Sequence, residues 1–469
     1  MQLTYRRAIG LTTLVFWLLL AVAIWQFHPS SIATIVPFHH IPWMPSLNFG
    51  SSYGKRPRPP LSDGSWIRSF ERMNDTLVWD IKRGCLEPSS LTPGHTRSMD
   101  VDAWEWILAD GSRLTEFDIE CFVIRALQSR IGFVLVGDSL TEHITAALEM
   151  MLLMPHPPQQ PRLITREYEW GWTRWSKQTN PTIFSNNMTL SRHHPLTQRI
   201  MARWESGDEE LKNIPLERLS RPIVRMFRSS NLASEEEISE VIEHDMGTPV
   251  NWTETLRIPT PWREHLKRHI EEPGWEGEKP SIVLISTGPH WEPARFGRAV
   301  TESQMKQAYE LVMRKVYDSF LSFPSDLPIR VMYRSTMPGH EYCTRYHYPV
   351  TLFDDIAKDP TPSKNHYHYH WFPKYNAFAK GLWDEGPLSL SRNRMQEVDI
   401  DILKSRGGPA KREPEASVAT EYWDVWNMTV TRPDAHVGNN GRDCLHFCPA
   451  GVYYWVVRAW WDTIVINGY

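Results

Sequence analysis

Cysteine is scarce in this chain: there are five, Cys85, Cys121, Cys343, Cys444 and Cys448. Cys444-x-x-x-Cys448 has a tolerable ligand spacing, but no second Cys or His pair at a zinc-like spacing accompanies it, so a zinc site has only half of its ligand set in view. Positive charge is not in excess either. Lys and Arg number 51 against 55 Asp and Glu, a formal net charge of −4, which removes any strong general attraction to nucleic acid. No internal repeat is visible. The composition also lacks the bias of a disordered chain, because 41% hydrophobic and 23% charged residues suit a folded core. The 469 residues are too many for one small domain and fit one large α/β domain with insertions. Trp is abundant, at 22 residues. Flat indole faces either pack on sugar rings while the N–H donates a hydrogen bond, or fill the core.

One apolar run bears on the compartment. Tyr5-Arg6-Arg7 precedes a stretch from Ala8 to Phe27 broken only by Thr12, Thr13 and Gln26, and about 20 such residues span a bilayer as a helix. The arginines on its N-terminal side leave residues 1–7 in the cytosol and the bulk in the lumen. A signal peptide cleaved at Ala21-Val22-Ala23 is the competing reading and would secrete the chain. Residues 28–62, rich in Pro, Ser and His, read as a stem, and the folded part is expected from Asp63 to residue 469. Anchor, stem and lumenal domain are the layout of a single-pass type II Golgi enzyme. Sequons at Asn74, Asn187, Asn251 and Asn427 agree with passage through the secretory pathway. An odd number of cysteines in that oxidising lumen points to two disulfides and one leftover thiol.

Ile131 to Val136 is a short apolar run that stops at Gly137 and predicts a buried parallel strand, followed by a helix from Glu142 to Met154. Ser281–Ser286 and residues 329–333 predict two more such strands, with an amphipathic helix from Glu302 to Leu321 between them. That alternation argues for an α/β fold with a parallel sheet. Residues 190–280 read as a charged, helical or irregular insertion, with Glu235-Glu236-Glu237 on a solvated helix face. Residues 385–419 read as a second insertion, a polar loop.

Gly137-Asp138-Ser139-Leu140 stands at the end of the first strand, where open α/β sheets carry their sites. A serine there gains backbone N–H groups at the helix start for an oxyanion. The motif is not the G-x-S-x-G elbow, since position 141 is Thr, and taken alone it also suits a turn with a helix cap. Asp443-Cys444-Leu445-His446 supplies a base: the i,i+3 spacing lets the carboxylate reach the imidazole and fix its tautomer. His446 then takes and returns the Ser139 proton. An isolated D-x-x-H also suits a surface turn. His366, His368 and His370, alternating with Tyr367 and Tyr369 before Trp371, read as metal ligands on one strand face or, preferably, as an aromatic wall or plain packing.

In order and combination, several blocks resemble the trichome-birefringence-like and PC-esterase family of the SGNH/GDSL-type fold. Besides the Gly-Asp-Ser, Asp63-Gly64-Ser65-Trp66 is similar to that family's opening, Trp104-Glu105-Trp106 with Phe117-Asp118 to its W-R-W segment, and Ser286 to Trp291 to its N-T-G-H-W-W block. Tyr333-Arg334-Ser335 with Pro338 and His340 resembles a strand end. Met428-Thr429 with Arg432 to His436, running on to Asp443-Cys444-Leu445-His446-Phe447-Cys448, resembles the family's ending most closely. The resemblance covers residues 63–460 and implies a three-layer sandwich about a parallel sheet, with Ser139, Asp443 and His446 as triad. It implies an oxyanion hole at Ser139, Leu140, Ser286 and Gly288, with Ser286 standing where the family has Asn and Pro289 inserted before His290. It places His290, Trp291, Arg334 and His340 about the substrate, and the aromatic-wall reading adds Trp371. It also implies that Cys343 pairs with one of Cys444 and Cys448 and Cys85 with the other. Cys121, read in an apolar helical setting, is left free.

The function implied is O-acetyl transfer to a glycan or polysaccharide through an acyl-serine. No bound cofactor or metal is expected, but transfer requires an acetyl donor, acetyl-CoA or one supplied by a partner membrane protein. A glycan O-acetylesterase and a catalytically silent glycan-binding relative are the alternatives, and the intact Ser, His and Asp count against the second.

Overall fold

The computed structural model describes residues 58–69, 85, 96–153, 161–171, 182–247, 249–250, 262–271, 275, 277–293, 295–296, 300–323, 329–351, 367–389, 418–438 and 443–469. The apolar run 8–27, most of the stem and the sequons at Asn74 and Asn251 lie outside them. Among the described residues no helix is long and apolar enough to cross a membrane.

Strands β1 (Gly64–Arg68) and β2 (Trp104–Leu108) pair antiparallel beside the short helix α1 (Arg97–Asp102). Helix α2 (Ile119–Leu127) starts where the Asp118 carboxylate accepts the Cys121 N–H at 2.8 Å, an N-cap that satisfies one orphan donor. Strand β3 (Phe133–Gly137) follows, with all five residues buried, as a continuous apolar run in a parallel sheet requires. Helix α3 (Ser139–Leu153) begins at Ser139 itself, three residues before the expected start.

The main sheet has seven strands in the order β4-β5-β6-β3-β7-β8-β9. Strands β4 (Ile164–Gly171) and β5 (Thr182–Leu190) form an antiparallel edge. Strands β6 (Val224–Arg228), β3, β7 (Ser281–Ser286), β8 (Ile329–Arg334) and β9 (Val418–Trp423) are parallel. Both expected insertions therefore need correction. The first contains β6, which lies directly against β3 in the middle of the sheet; its two arginines, Arg225 and Arg228, disguise a strand as charged loop. Arg225 keeps its charge inside by donating to main-chain carbonyls of Ile131 and Pro222. The second ends in β9, the far edge strand.

Helices α4 (Pro195–Glu205), α5 (Glu235–Ser239) and α6 (Trp262–Glu271) follow the antiparallel edge and β6. The acidic stretch does form a helix, α5, with a capping box between Ser234 and Glu237, but Glu237 is also paired with Arg263. Helix α7 (Glu302–Ser319) opens on a second capping box, Thr301 with Gln304, and α8 (Phe372–Glu385) packs against α7 and β9. After β9 come α9 (Trp426–Val430), the hairpin β10 (His436–Gly438) with β11 (Asp443–Phe447), and α10 (Tyr454–Asn467). Helix α10 packs on α3, and its Trp460 ring meets Phe133 of β3 at 5.2 Å. The molecule is thus α/β, a mixed but mostly parallel sheet flanked by helices. Its folded part begins earlier than expected, because Arg58 pairs with Asp462 at 3.0 Å and Leu61 packs on the core.

Candidate active site

Ser139 sits two residues beyond the C-terminal end of β3, at the first position of α3. Gly137 makes this turn possible. A Cβ on Gly137 would collide with the Thr141 side chain and stand 2.6 Å from the Ser286 carbonyl oxygen, so only glycine lets α3 fold back so closely. Asp138 is buried and its Oδ1 accepts the Leu140 N–H at 3.0 Å. Burial raises the Asp138 carboxyl above its usual range, opposed chiefly by the charge of Arg334. Leu140 N–H is therefore occupied as a helix cap, which corrects its expected place in the oxyanion hole; the Ser139 N–H is another main-chain donor of this first turn.

The other half of the site comes from β11, more than 300 residues away. His446 Nε2 lies 2.8 Å from Ser139 Oγ, and His446 Nδ1 lies 3.1 and 3.0 Å from the two Asp443 carboxylate oxygens. An i,i+3 pair on a flat strand would point to opposite faces. Here Asp443 Oδ1 also accepts the main-chain N–H groups of Leu445 and His446, at 3.3 and 3.0 Å, and bends the segment so that carboxylate and ring meet. Burial alone would raise Asp443, but the hydrogen bond from the His446 ring, its charge and the two main-chain donors outweigh it and hold the carboxyl below its ordinary 3.8. Ser139 is half-buried, and the side chains of His446 and Asp443 keep 19% and 30% of their surface exposed, enough for a substrate to reach them.

A depressed Asp443 carries a pH signature. Its contribution to stability is full above the unfolded value and disappears as the pH falls through the lower folded value. Wild type and Asp443→Asn should therefore differ in urea unfolding at neutral pH and converge as the pH drops below the carboxylate range. A gap that persists in acid would assign the difference to packing.

Both ends of the β11 strand are tied down. Cys444 is bonded to Cys343 and Cys448 to Cys85, one of the two pairings that the family resemblance leaves open. Cys121 is free but exposed, not in the apolar setting read from the sequence. Removing the Cys343–Cys444 bridge, which closes a separation of 101 residues, should cost on the order of 3 kcal/mol. It should also loosen His446. For Cys343→Ala with Cys444→Ala, turnover is expected to fall about 10- to 100-fold through misplacement of the base, and thermal unfolding should move down by several degrees. Unchanged turnover in a destabilised protein would show that the bridge holds the fold and not the base.

The residues expected about the substrate are mostly interior. Trp291 is wholly buried, donates from Nε1 to Thr287 Oγ1 at 3.1 Å and faces Tyr309. Arg334 is wholly buried beside Asp138, its charge disfavoured by burial. His340 is buried, with Nδ1 2.6 Å from His436 Nε2 and Nε2 2.8 Å from the Val430 carbonyl; burial pushes its pKa down to about 4. His290 is buried, its carbonyl accepting from Asn231 at 3.1 Å. Trp371 is buried and stacked on His368 at 4.2 Å. All five side chains are buried. Residues 369–371 form a 3-10 turn, so the alternating faces of a His strand do not exist there.

Ser286 is buried and stands opposite Gly137 in register, and Gly288 is held against Thr336, where a Cβ would collide. Asn187 lies within β5, half-buried between β4 and β6, unlike the surface loop a glycan acceptor occupies. Asn427 is exposed on α9, its amide donating to Ser62. Sequence reasoning missed three groups at the site. Arg228, at the end of β6, is the register partner of Gly137 and pairs with Glu142 of α3 at 3.2 Å. His143 of α3 and Tyr453 stand against the His446 side of the site. Only His143 had a signal, its i,i+4 spacing from Ser139 on one helix face.

The Gly137 geometry gives a direct test. Gly137→Ala must shift the turn that carries Ser139, and a displacement near 1 Å is expected to lower turnover about 100-fold or more, read as loss of fluorophosphonate labelling in a protein that still folds. Wild-type labelling would mean that the turn absorbs the methyl group.

Comparison with models of known protein families and with curated proteins returned no match for this chain.

Proposed function

We propose that the chain is a glycan or polysaccharide O-acetyltransferase, of the trichome-birefringence-like and PC-esterase type, built on an SGNH-like three-layer sandwich and held in the Golgi membrane with its folded part in the lumen. The observation that carries this reading is the continuous hydrogen-bonded line from Ser139 through His446 to Asp443, at the C-terminal edge of a parallel sheet.

The chemistry runs in two halves. His446 Nε2 takes the Ser139 proton as Oγ attacks the acetyl carbonyl of the donor, and the oxyanion forms near the start of α3. The donor's leaving group departs with the proton from His446, which leaves acetyl-Ser139. A sugar hydroxyl then gives its proton to His446 and attacks the ester, and Ser139 leaves with that proton. Asp443 holds Nδ1–H toward itself and stabilises the imidazolium formed in each half. The Ser139 N–H, the Ser286 hydroxyl and the Gly288 N–H are the proposed oxyanion donors. Ser286→Ala should lower turnover roughly 10- to 1,000-fold, the usual range for one lost donor, with little change in acceptor binding; wild-type turnover removes Ser286 from that role.

The test is incubation of the purified protein with acetyl-CoA and a panel of glycans, with mass detection. Acetyl gain on a glycan that depends on Ser139 supports the proposal. Acetyl loss from an acetylated glycan without transfer assigns an esterase. Neither gain nor loss across the panel, from a protein whose Ser139 also resists fluorophosphonate, contradicts catalysis.

A further inference from the structure

His446 must present Nε2 to Ser139 twice in each cycle and must become an imidazolium both times. Asp443 fixes one edge of the ring through Nδ1, but an edge contact leaves the ring free to tilt about that line. The face of the ring is covered by His143. The two ring centroids are 4.9 Å apart and the planes are inclined by 21°, a stacked pair. The Tyr453 ring, on the segment leading into α10, lies 5.3 Å from the His143 ring, centroid to centroid, and is inclined to it by 38°, so His143 is itself held in place.

The location of His143 gives the contact its use. It stands four residues after Ser139 on α3, one turn along the same helix face. The nucleophile and the surface on which the base rests therefore belong to one rigid element, while the base itself arrives from a hairpin pinned by two disulfides. Any drift of β11 relative to α3 must slide His446 across the face of His143.

We propose that His143 is a positioning residue for His446: its ring sets the plane of the catalytic imidazole so that Nε2 aims at Ser139 Oγ, and its π face receives the imidazolium. This rests on the triad reading above. A cation on an aromatic face is favoured. The other charged or titratable groups about the pair are Asp443 on β11, Asp138 before α3, Glu142 with Arg228 beside α3, buried His436 on β10, and Tyr453. All of them remain when His143 is replaced.

The test compares His143→Ala, which removes the face, with His143→Phe, which keeps it without a titrating group. With p-nitrophenyl acetate, His143→Ala should lower kcat about 5- to 30-fold, the range of one such face contact, with KM unchanged. His143→Phe should recover most of that loss. In parallel, crystal structures of both variants read the contact between His446 Nε2 and Ser139 Oγ, 2.8 Å in wild type: it should open in His143→Ala and persist in His143→Phe. An unchanged contact in the Ala variant, or a Phe variant no better than Ala in kcat, overturns the proposal. The structural comparison needs no turnover, so it decides the matter even if the acyl-transfer reading fails, and that reading fails separately if Ser139→Ala keeps wild-type turnover.

Discussion

Ser139→Ala should abolish acyl transfer, a loss of about 10,000-fold or more by the precedent of other serine triads, while thermal unfolding stays where it is. The substitution deletes one half-buried hydroxyl whose contact is with His446 Nε2, and it leaves the Gly137 turn and the Asp138 cap untouched. His446→Ala should be as severe, because without the base the hydroxyl is not deprotonated at neutral pH. The two losses should not add: in the double variant turnover should fall no further than in either single one, since nucleophile and base act as a unit. The measurement is steady-state turnover of an activated acetyl ester for the three proteins, with folding checked by near-UV circular dichroism. Additive losses would mean that Ser139 and His446 serve different steps.

Asp443→Asn should cost about 10,000-fold in kcat, again by triad precedent. In wild type the carboxylate accepts from the His446 ring and from two main-chain N–H groups at once. An amide keeps the size and one acceptor oxygen, so the bend at Leu445 should survive. What it loses is the demand that Nδ1 carry the proton: an amide NH2 turned toward the ring favours the tautomer with its proton on Nε2, which then faces Ser139 as a donor. The signature is a collapse of kcat with KM and the unfolding midpoint at neutral pH moving far less. If Asp443→Asn instead raised KM and left kcat alone, Asp443 would belong to substrate binding.

The sheet was legible where its strands are apolar. Phe133–Gly137 and Ser281–Ser286 are buried on both faces and read as unbroken hydrophobic runs. Strand β6 was not legible, because two of its five residues are arginines whose charges are met by main-chain carbonyls and by Glu142, and sequence pattern prices a buried Arg as loop. The edge strand β4 and its neighbour β5 mix polar with apolar residues and were missed because they lack the unbroken apolar run of the central strands.

For the site, Ser139, Asp443 and His446 were readable from two short motifs, but the surrounding residues were not. Trp291 and Arg334 carry chemistry that suits a substrate, yet both are fully buried; composition cannot tell a binding aromatic from a core one. His143 had only its i,i+4 spacing from Ser139 as a signal, because its contact is with the His446 ring, made when β11 is brought back across the whole domain. The Leu140 N–H was misassigned because the helix-cap and oxyanion readings of Gly-Asp-Ser stood as alternatives, whereas both apply at one turn and the Asp138 side chain caps the very donor in question.

The most direct measurement of the central claim is to trap the intermediate. The purified protein is mixed with an acetyl donor in the absence of glycan, quenched in acid after a fraction of a turnover, and digested for peptide mapping by mass spectrometry. Acetyl on Ser139, lost on adding a glycan acceptor or with time in water and absent in Ser139→Ala and His446→Ala, is the expected result. Full turnover with no acetyl on Ser139 at any time point, or a Ser139→Ala protein that still transfers acetyl at the wild-type rate, would contradict it.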